Sequence, residues 1–231
     1  MHVRNGGEFS PDEDAAFIVE AFDSTLPHLA AIGSGEMWGS QPFSQKDGFA
    51  EETTKDVEAS ERYRVTGEGD ALRVFIAEVE VDTSAAAAQH DSENPGLRYR
   101  TDSDGTRFLS VGAAFVREDW LPGHVRTHFH VESVRTEFEG REDFVYLDVM
   151  ITDYRTGQYR KGTGQALIQR AKEYGAEKRK KVLYAEAWGG NERKLVKFYE
   201  QQGFSVVAEF MMKRANGTIW PGAILRMELD G

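Results

Sequence analysis

Two glycines, Gly162 and Gly164, stand directly ahead of a run with helical periodicity, and Arg160 and Lys161 precede them. The first amides of a helix have no carbonyl partner inside it and carry partial positive charge. Glycines let an anion come close to those amides, so this loop reads as a phosphate cradle; a plain glycine turn before a helix is the structural alternative. Residues 155–181 hold nine Lys or Arg against two Glu, a local +7 in a chain whose net charge is -11. Such a basic island fits a polyanionic ligand.

Three nucleotide-type ligands compete for this loop. A Walker loop needs Gly, four residues, then Gly-Lys-Ser or Gly-Lys-Thr. From Gly157 the spacing reaches Gly162, but Thr163-Gly164 follow, so lysine and magnesium hydroxyl are misplaced. A dinucleotide fingerprint needs a third glycine and a loop at the strand end. Here Gly162-Thr-Gly-Gln-Ala-Leu167 lacks that glycine, although Glu186 stands where a ribose-binding acid would. Coenzyme A is the third candidate: a helix amino end suits its pyrophosphate and a strand its pantetheine arm.

A second set lies downstream: Asn191, then Phe198-Tyr-Glu-Gln-Gln-Gly-Phe204. Together with Tyr159-Arg-Lys-Gly-Thr-Gly164, it resembles the GNAT acetyltransferase superfamily over roughly residues 144–210. Tyr159 replaces the usual Gln or Arg, and the link from strand to loop is longer than usual. The resemblance implies that acetyl-CoA is the cosubstrate. Val149, Met150 and Ile151 would hold pantetheine through their backbone. Tyr159, Arg160, Lys161, Gly162, Thr163 and Gly164 would hold the pyrophosphate. Asn191 would hydrogen-bond the pantetheine arm, or simply cap a helix. Tyr199 would protonate the departing thiolate, chemistry open to any well-placed phenol, or would simply be core. The acceptor is expected to be a small-molecule primary amine attacking directly. It must first lose a proton, and Asp148 and Glu186 are the candidate bases, with His130 a third. Both carboxylates could instead be paired structural groups.

These residues need a scaffold, and the patterning supplies one. Phe144–Ile151 and Val182–Trp188 read as strands, with helices from about Gln165 to Lys180 and from Asn191 to Gly203. Upstream, Ser10-Pro11-Asp12-Glu13 starts a helix with a capping box, ending at Leu26 before Pro27. Residues 28–48 form an irregular loop whose Met37, Trp38 and Phe43 either pack on the core or line a substrate pocket. Phe49, Thr53 and Val57 space a second helix. Leu72–Val81 and Phe108–Val116 are strands around a polar insertion, Thr83 to Thr106. A second insertion, 117–143, carries His124, His128 and His130, the latter two expected on one strand face. Asn216-Gly217 joins a final hairpin, in which Pro221 demands an edge or a bulge. The expected fold is α/β: one GNAT-like domain, 1–231, with a mixed, mostly antiparallel sheet, flanking helices and two insertions.

With 40% hydrophobic residues the chain can bury a core, and with no cysteine it can form neither disulfides nor thiolate zinc sites. No metal is expected, because the histidine pair is the only visible ligand cluster. Residues 1–80 carry six Lys/Arg against seventeen Asp/Glu, which first of all serves solubility; the functional reading is that it repels nucleic acid and attracts a cationic amine. No apolar run reaches membrane length, so a cytoplasmic location is the default; a homodimer is compatible with the sequence. Two other functions remain open: a GNAT-like acyl-CoA sensor or scaffold without turnover, and a nicotinamide oxidoreductase.

Overall fold

The computed structural model describes residues 1–82, 96–214 and 217–229. Its strands are β1 His2–Asn5, β2 Leu72–Glu80, β3 Tyr99–Thr101, β4 Arg107–Glu118, β5 Phe144–Thr152, β6 Val182–Trp188, β7 Ser205–Lys213 and β8 Ile219–Glu228. The helices are α1 Pro11–Ala31, α2 Phe49–Thr66, α3 Gly123–Thr127, α4 Glu132–Phe138, α5 Thr163–Glu177 and α6 Gly190–Gln201. The hydrogen-bonded strand order is β1-β2-β4-β5-β6-β8-β7, with β3 also on β4. β5 and β6 pair in parallel, while β1–β2, β3–β4, β6–β8 and β7–β8 are antiparallel.

The chain forms two compact units. The first comprises Met1–His28, Ser40–Phe115 and Val149–Leu167. Its core is built on Phe17, Ile18, Leu72, Phe75, Ile76 and Leu109, all buried. Glu13 N donates to Ser10 Oγ at 3.4 Å, the cap expected from the sequence. Glu78 is fully buried on β2 and lies between Arg4 (2.6 Å) and Arg100 (2.6 Å), while Arg4 also grips Asp14 at 2.5 Å. Those charges are tolerable inside only because each is paired.

The second unit comprises Leu29–Gly39, Val116–Asp148 and Ile168–Gly231. One face of its sheet carries Phe144, Tyr146, Tyr184, Trp188, Phe210 and Ile224 into a cluster with Met37, Leu121, Val125, Val134 and Phe138. The 117–143 insertion, folded as α3 and α4, thus supplies part of this core. Gly222 makes room for the Phe210 ring, which would stand 2.3 Å from any Cβ there.

Several expectations need correction. Helix α1 runs through Pro27 to Ala31 rather than stopping at Leu26. Leu26 and Leu29 are both buried, so the apolar stripe carries the helix across the proline despite its missing N–H. Helix α5 spans Thr163–Glu177, not 165–180; Arg179 turns left-handed (φ 56) and Lys180 N closes on Gly175 O at 2.8 Å. His128 and His130 are not on a strand. His128 caps α3, and the burial of Val125, Val134 and Phe138 follows helical spacing. β8 is an inner strand between β6 and β7, and the shift in pairing lies at Val206/Ala208 on β7. Pro221 sits one residue beyond the last β6 rung, Trp188↔Gly222, and its carbonyl accepts from Gly189 N. Packing inward, one of the two readings of residues 28–48, is what Met37 and Phe43 do, both buried. The expected Asn216-Gly217 turn includes a residue outside those described, as does most of the 83–106 insertion.

Candidate active site

The glycine loop belongs to the first unit. It leaves β5 at Asp153, a fully buried residue whose Oδ1 accepts from Arg155 N at 2.9 Å. Asp153 N in turn donates to Val111 O (2.9 Å), and Thr156 Oγ1 donates to Asp153 O (2.7 Å). Tyr154 N donates to Ser24 Oγ at 2.9 Å, its ring stacks on His28 at 4.1 Å, and the Arg160 guanidinium lies 3.9 Å above it. Burial, then the Arg160 charge, lowers the His28 pKa. The loop is therefore a braced 3-10 segment, Tyr154–Arg160, and Gly157 (φ 54, ψ −121) takes the turn that needs a glycine.

Helix α5 then begins. Ala166 N bonds back to Gly162 O at 3.0 Å, while the amides of Thr163, Gly164 and Gln165, the first turn, have no acceptor among the described residues. Gly162 and Gln165 are exposed and Gly164 is half-buried, whereas Thr163 is fully buried. Gly112 on β4 makes this seating possible. A Cβ there would stand 2.6 Å from Ile151 O and 2.6 Å from Thr163 Cγ2.

The structure sorts the basic island. Arg155 pairs with Asp153 and Glu20, Arg170 with Glu177, Lys178 with Glu118, Lys180 with Asp119 and Lys181 with Asp143. Arg160 and Lys161, at the loop itself, make no ion pair among the described residues, and Arg160 Nε is buried without a hydrogen-bond partner there. Lys172 and Arg179 of the island are likewise without an ion pair among the described residues, so two of its four unpaired cations, Arg160 and Lys161, sit beside the open amides. Val149 and Met150 are half-buried and Ile151 is buried. The β5–β6 ladder has its last rung at Leu147↔Ala185, although β5 itself runs on to Thr152.

The candidate acid–base residues belong to the second unit. Strand alternation puts Tyr146 and Asp148 on one face of β5, and the parallel register Tyr146↔Tyr184 sets Tyr184 and Glu186 on the same face of β6. Both carboxylates are paired. Arg117 Nε donates to Asp148 Oδ2 at 3.0 Å, and His124 Nε2 lies 2.8 Å from Glu186 Oε2. Burial raises the Asp148 pKa, with Arg117 and His124 pulling it back. The hydrogen bond to Glu186 raises the His124 pKa against the opposing effect of burial. Tyr146 is buried, its hydroxyl has no partner among the described residues, and burial, then Glu186, Asp148 and Tyr199, raises its pKa well above the usual phenol value.

Tyr199 lies on α6, packed edge-on against Phe198 and Phe204, and burial raises its pKa, which keeps the phenol protonated at neutral pH. Asn191 opens α6 in a left-handed conformation shared with Glu192 and Arg193 (φ 47, 57 and 60). Its Nδ2 donates to Ile32 O (2.8 Å) and Ser34 Oγ (2.6 Å), which leaves Oδ1 for another donor.

The structure thus brings together Asp148, Glu186, Tyr146, Arg117 and His124. His130 is exposed and contacts Thr127 O at 3.1 Å, away from this pairing. Arg117, His124 and Tyr146 were missed as site residues. The period-two spacing of Tyr146/Asp148 and Tyr184/Glu186 was a usable signal for one shared face. No group of three or more His, Asp or Glu among the described residues could hold a metal ion, and no described helix is long and apolar enough to cross a membrane.

No family model and no curated protein matches the sequence. Solved structures do match. A Desulfovibrio desulfuricans protein assigned to the GNAT acetyltransferase family aligns over 99% of each chain with TM-score 0.51 and 16% identity. A Salmonella typhimurium protein assigned as an acetyltransferase, solved with its cofactor acetyl-CoA, gives 0.54 over 99% of this chain and 94% of that one, at 16% identity. A Staphylococcus aureus N-acetyltransferase gives 0.52 over 99% and 98%, at 13% identity. The chain has the GNAT acetyltransferase fold.

Proposed function

We propose that this protein transfers the acetyl group of acetyl-CoA to a small-molecule primary amine by direct attack. The observation that carries the reading is an open helix amino end on a GNAT fold: the free amides of Thr163, Gly164 and Gln165, with Arg160 and Lys161 beside them. A diphosphate satisfies those amides and the two charges together. Tyr159 completes the phosphate-binding loop. The backbone of Val149, Met150 and Ile151, beyond the last β6 rung, takes the pantetheine amides as an added strand would. Asn191 Oδ1 accepts from a pantetheine amide.

The acceptor arrives as an ammonium ion and must lose a proton before its nitrogen can attack the thioester carbonyl. Asp148 and Glu186 attract the cation and supply the basic environment. Tyr199 holds its proton until the thiolate departs and then donates it. The test is coenzyme A release across small amines, amino acids, aminoglycosides and peptide amino ends. Release with at least one small amine, lost in Tyr199→Phe while coenzyme A still binds, is expected. Binding of coenzyme A without release for any amine would replace this reading with that of an acyl-CoA sensor.

A further inference from the structure

The acetyl-transfer reading leaves open which group takes the amine's proton. Glu186 does not stand free. Its Oε2 lies 2.8 Å from His124 Nε2. An ionised carboxylate only accepts, so the proton of this bond is on Nε2. The neutral ring then has its lone pair on Nδ1. That nitrogen has no partner among the described residues, and the His124 side chain is 38% exposed. A carboxylate that fixes the tautomer of an imidazole whose other nitrogen is open is a working arrangement for proton abstraction.

We propose, resting on the acetyl-transfer reading, that His124 is the general base, acting through Nδ1, and that Glu186 is its positioning residue. The backbone supports this geometry. His124 lies in α3, whose end is held by His128: Nδ1 of His128 donates to His124 O at 2.7 Å, and its ring packs on Phe210 at 4.5 Å. The groups facing His124 are Glu186 from β6, Asp148 from β5 with its partner Arg117 from β4, the apolar Phe210 from β7, and His128 on its own segment. Glu186 dominates by direct contact, and it holds the imidazolium above the ordinary value.

The ammonium gives one proton to His124 Nδ1. The neutral amine attacks the acetyl carbon, a C–N bond forms and the C–S bond breaks. The thiolate takes the Tyr199 phenol proton, the second amine proton restores the phenol, and His124 releases its own proton to solvent.

The test is the pH profile of kcat/KM for coenzyme A release, paired with an NMR titration of the His124 ring in the whole protein. Wild type should show an acidic limb above the ordinary imidazole value of about 6.5. His124→Gln should lose that limb and fall by roughly 10²–10⁴-fold, the usual contribution of a positioned base. Glu186→Gln should keep a limb but move it to lower pH, in step with the NMR midpoint of His124; a purely structural glutamate would lower the rate without moving either. An active wild type whose limb is unchanged in His124→Gln overturns the base assignment and leaves acetyl transfer standing. Loss of the limb in Glu186→Gln, with the NMR midpoint unmoved, makes Glu186 the base and also overturns it. A wild type that releases coenzyme A with no amine overturns both readings.

Discussion

Gly112→Ala places one methyl group between two parts of the proposed coenzyme site. The new Cβ would meet Ile151 O and Thr163 Cγ2, each at 2.6 Å. Ordinary contact begins at 3.4 Å, so each of the two contacts falls short by about 0.8 Å. Neither yields easily. Ile151 O is backbone within β5, and Thr163 is fully buried at the first position of α5. Overpacking of this kind costs about 1–3 kcal/mol. For a chain of this length, that lowers the melting temperature by roughly 2–12 °C. The strain falls on the strand that would carry pantetheine and on the amides that would carry diphosphate. Coenzyme A affinity should therefore drop as well, on the order of tenfold for about 1.4 kcal/mol lost. Differential scanning calorimetry and isothermal titration with coenzyme A read the two effects. An unchanged melting temperature with unchanged affinity would refute the claim that Gly112 sets this seating. Lost stability with unchanged affinity would separate the seating from the ligand.

Tyr199→Phe should cut kcat by roughly 10²–10⁴-fold while leaving coenzyme A affinity near wild type; unchanged turnover would remove Tyr199 from the chemistry. Tyr146→Phe deletes a buried hydroxyl that has no partner among the described residues. It should leave the free protein as stable as wild type or more so, by up to about 1–3 kcal/mol, and a lower melting temperature would show that the hydroxyl is satisfied after all. Glu78→Ala removes the carboxylate between Arg4 and Arg100 and should cost about 3–5 kcal/mol in a denaturant titration; a loss below 1 kcal/mol would mean that water reaches those arginines, roughly.

The two motifs were legible because each is local. A glycine pair before a helix and a tyrosine within a closing helix depend on neighbours a few residues away, and β5 and β6 appeared with nearly their true limits. Helix ends were less legible. Pro27 argued for a stop by its chemistry, but the buried Leu29 beyond it outweighed one missing hydrogen bond. The position of β8 could not be read from a hairpin signal, because pairing with β6 is a contact between distant parts of the chain. The same limit hid the site partners. Asp148 and Glu186 were visible as carboxylates, but Arg117 and His124 reach them from β4 and from α3. Nothing in the spacing of His124, His128 and His130 marks the first as the one facing a glutamate.

The inner place of β8 bears on how the nascent chain matures. Among the described strands β7 pairs with β8 alone, and β8 fills the second edge of β6. Until residues 219–228 emerge from the ribosome, β7 has no sheet to join and β6 offers a bare apolar margin. Assembly of this part of the sheet therefore waits on β8, and a product lacking β8 would be a natural client for chaperones or proteases.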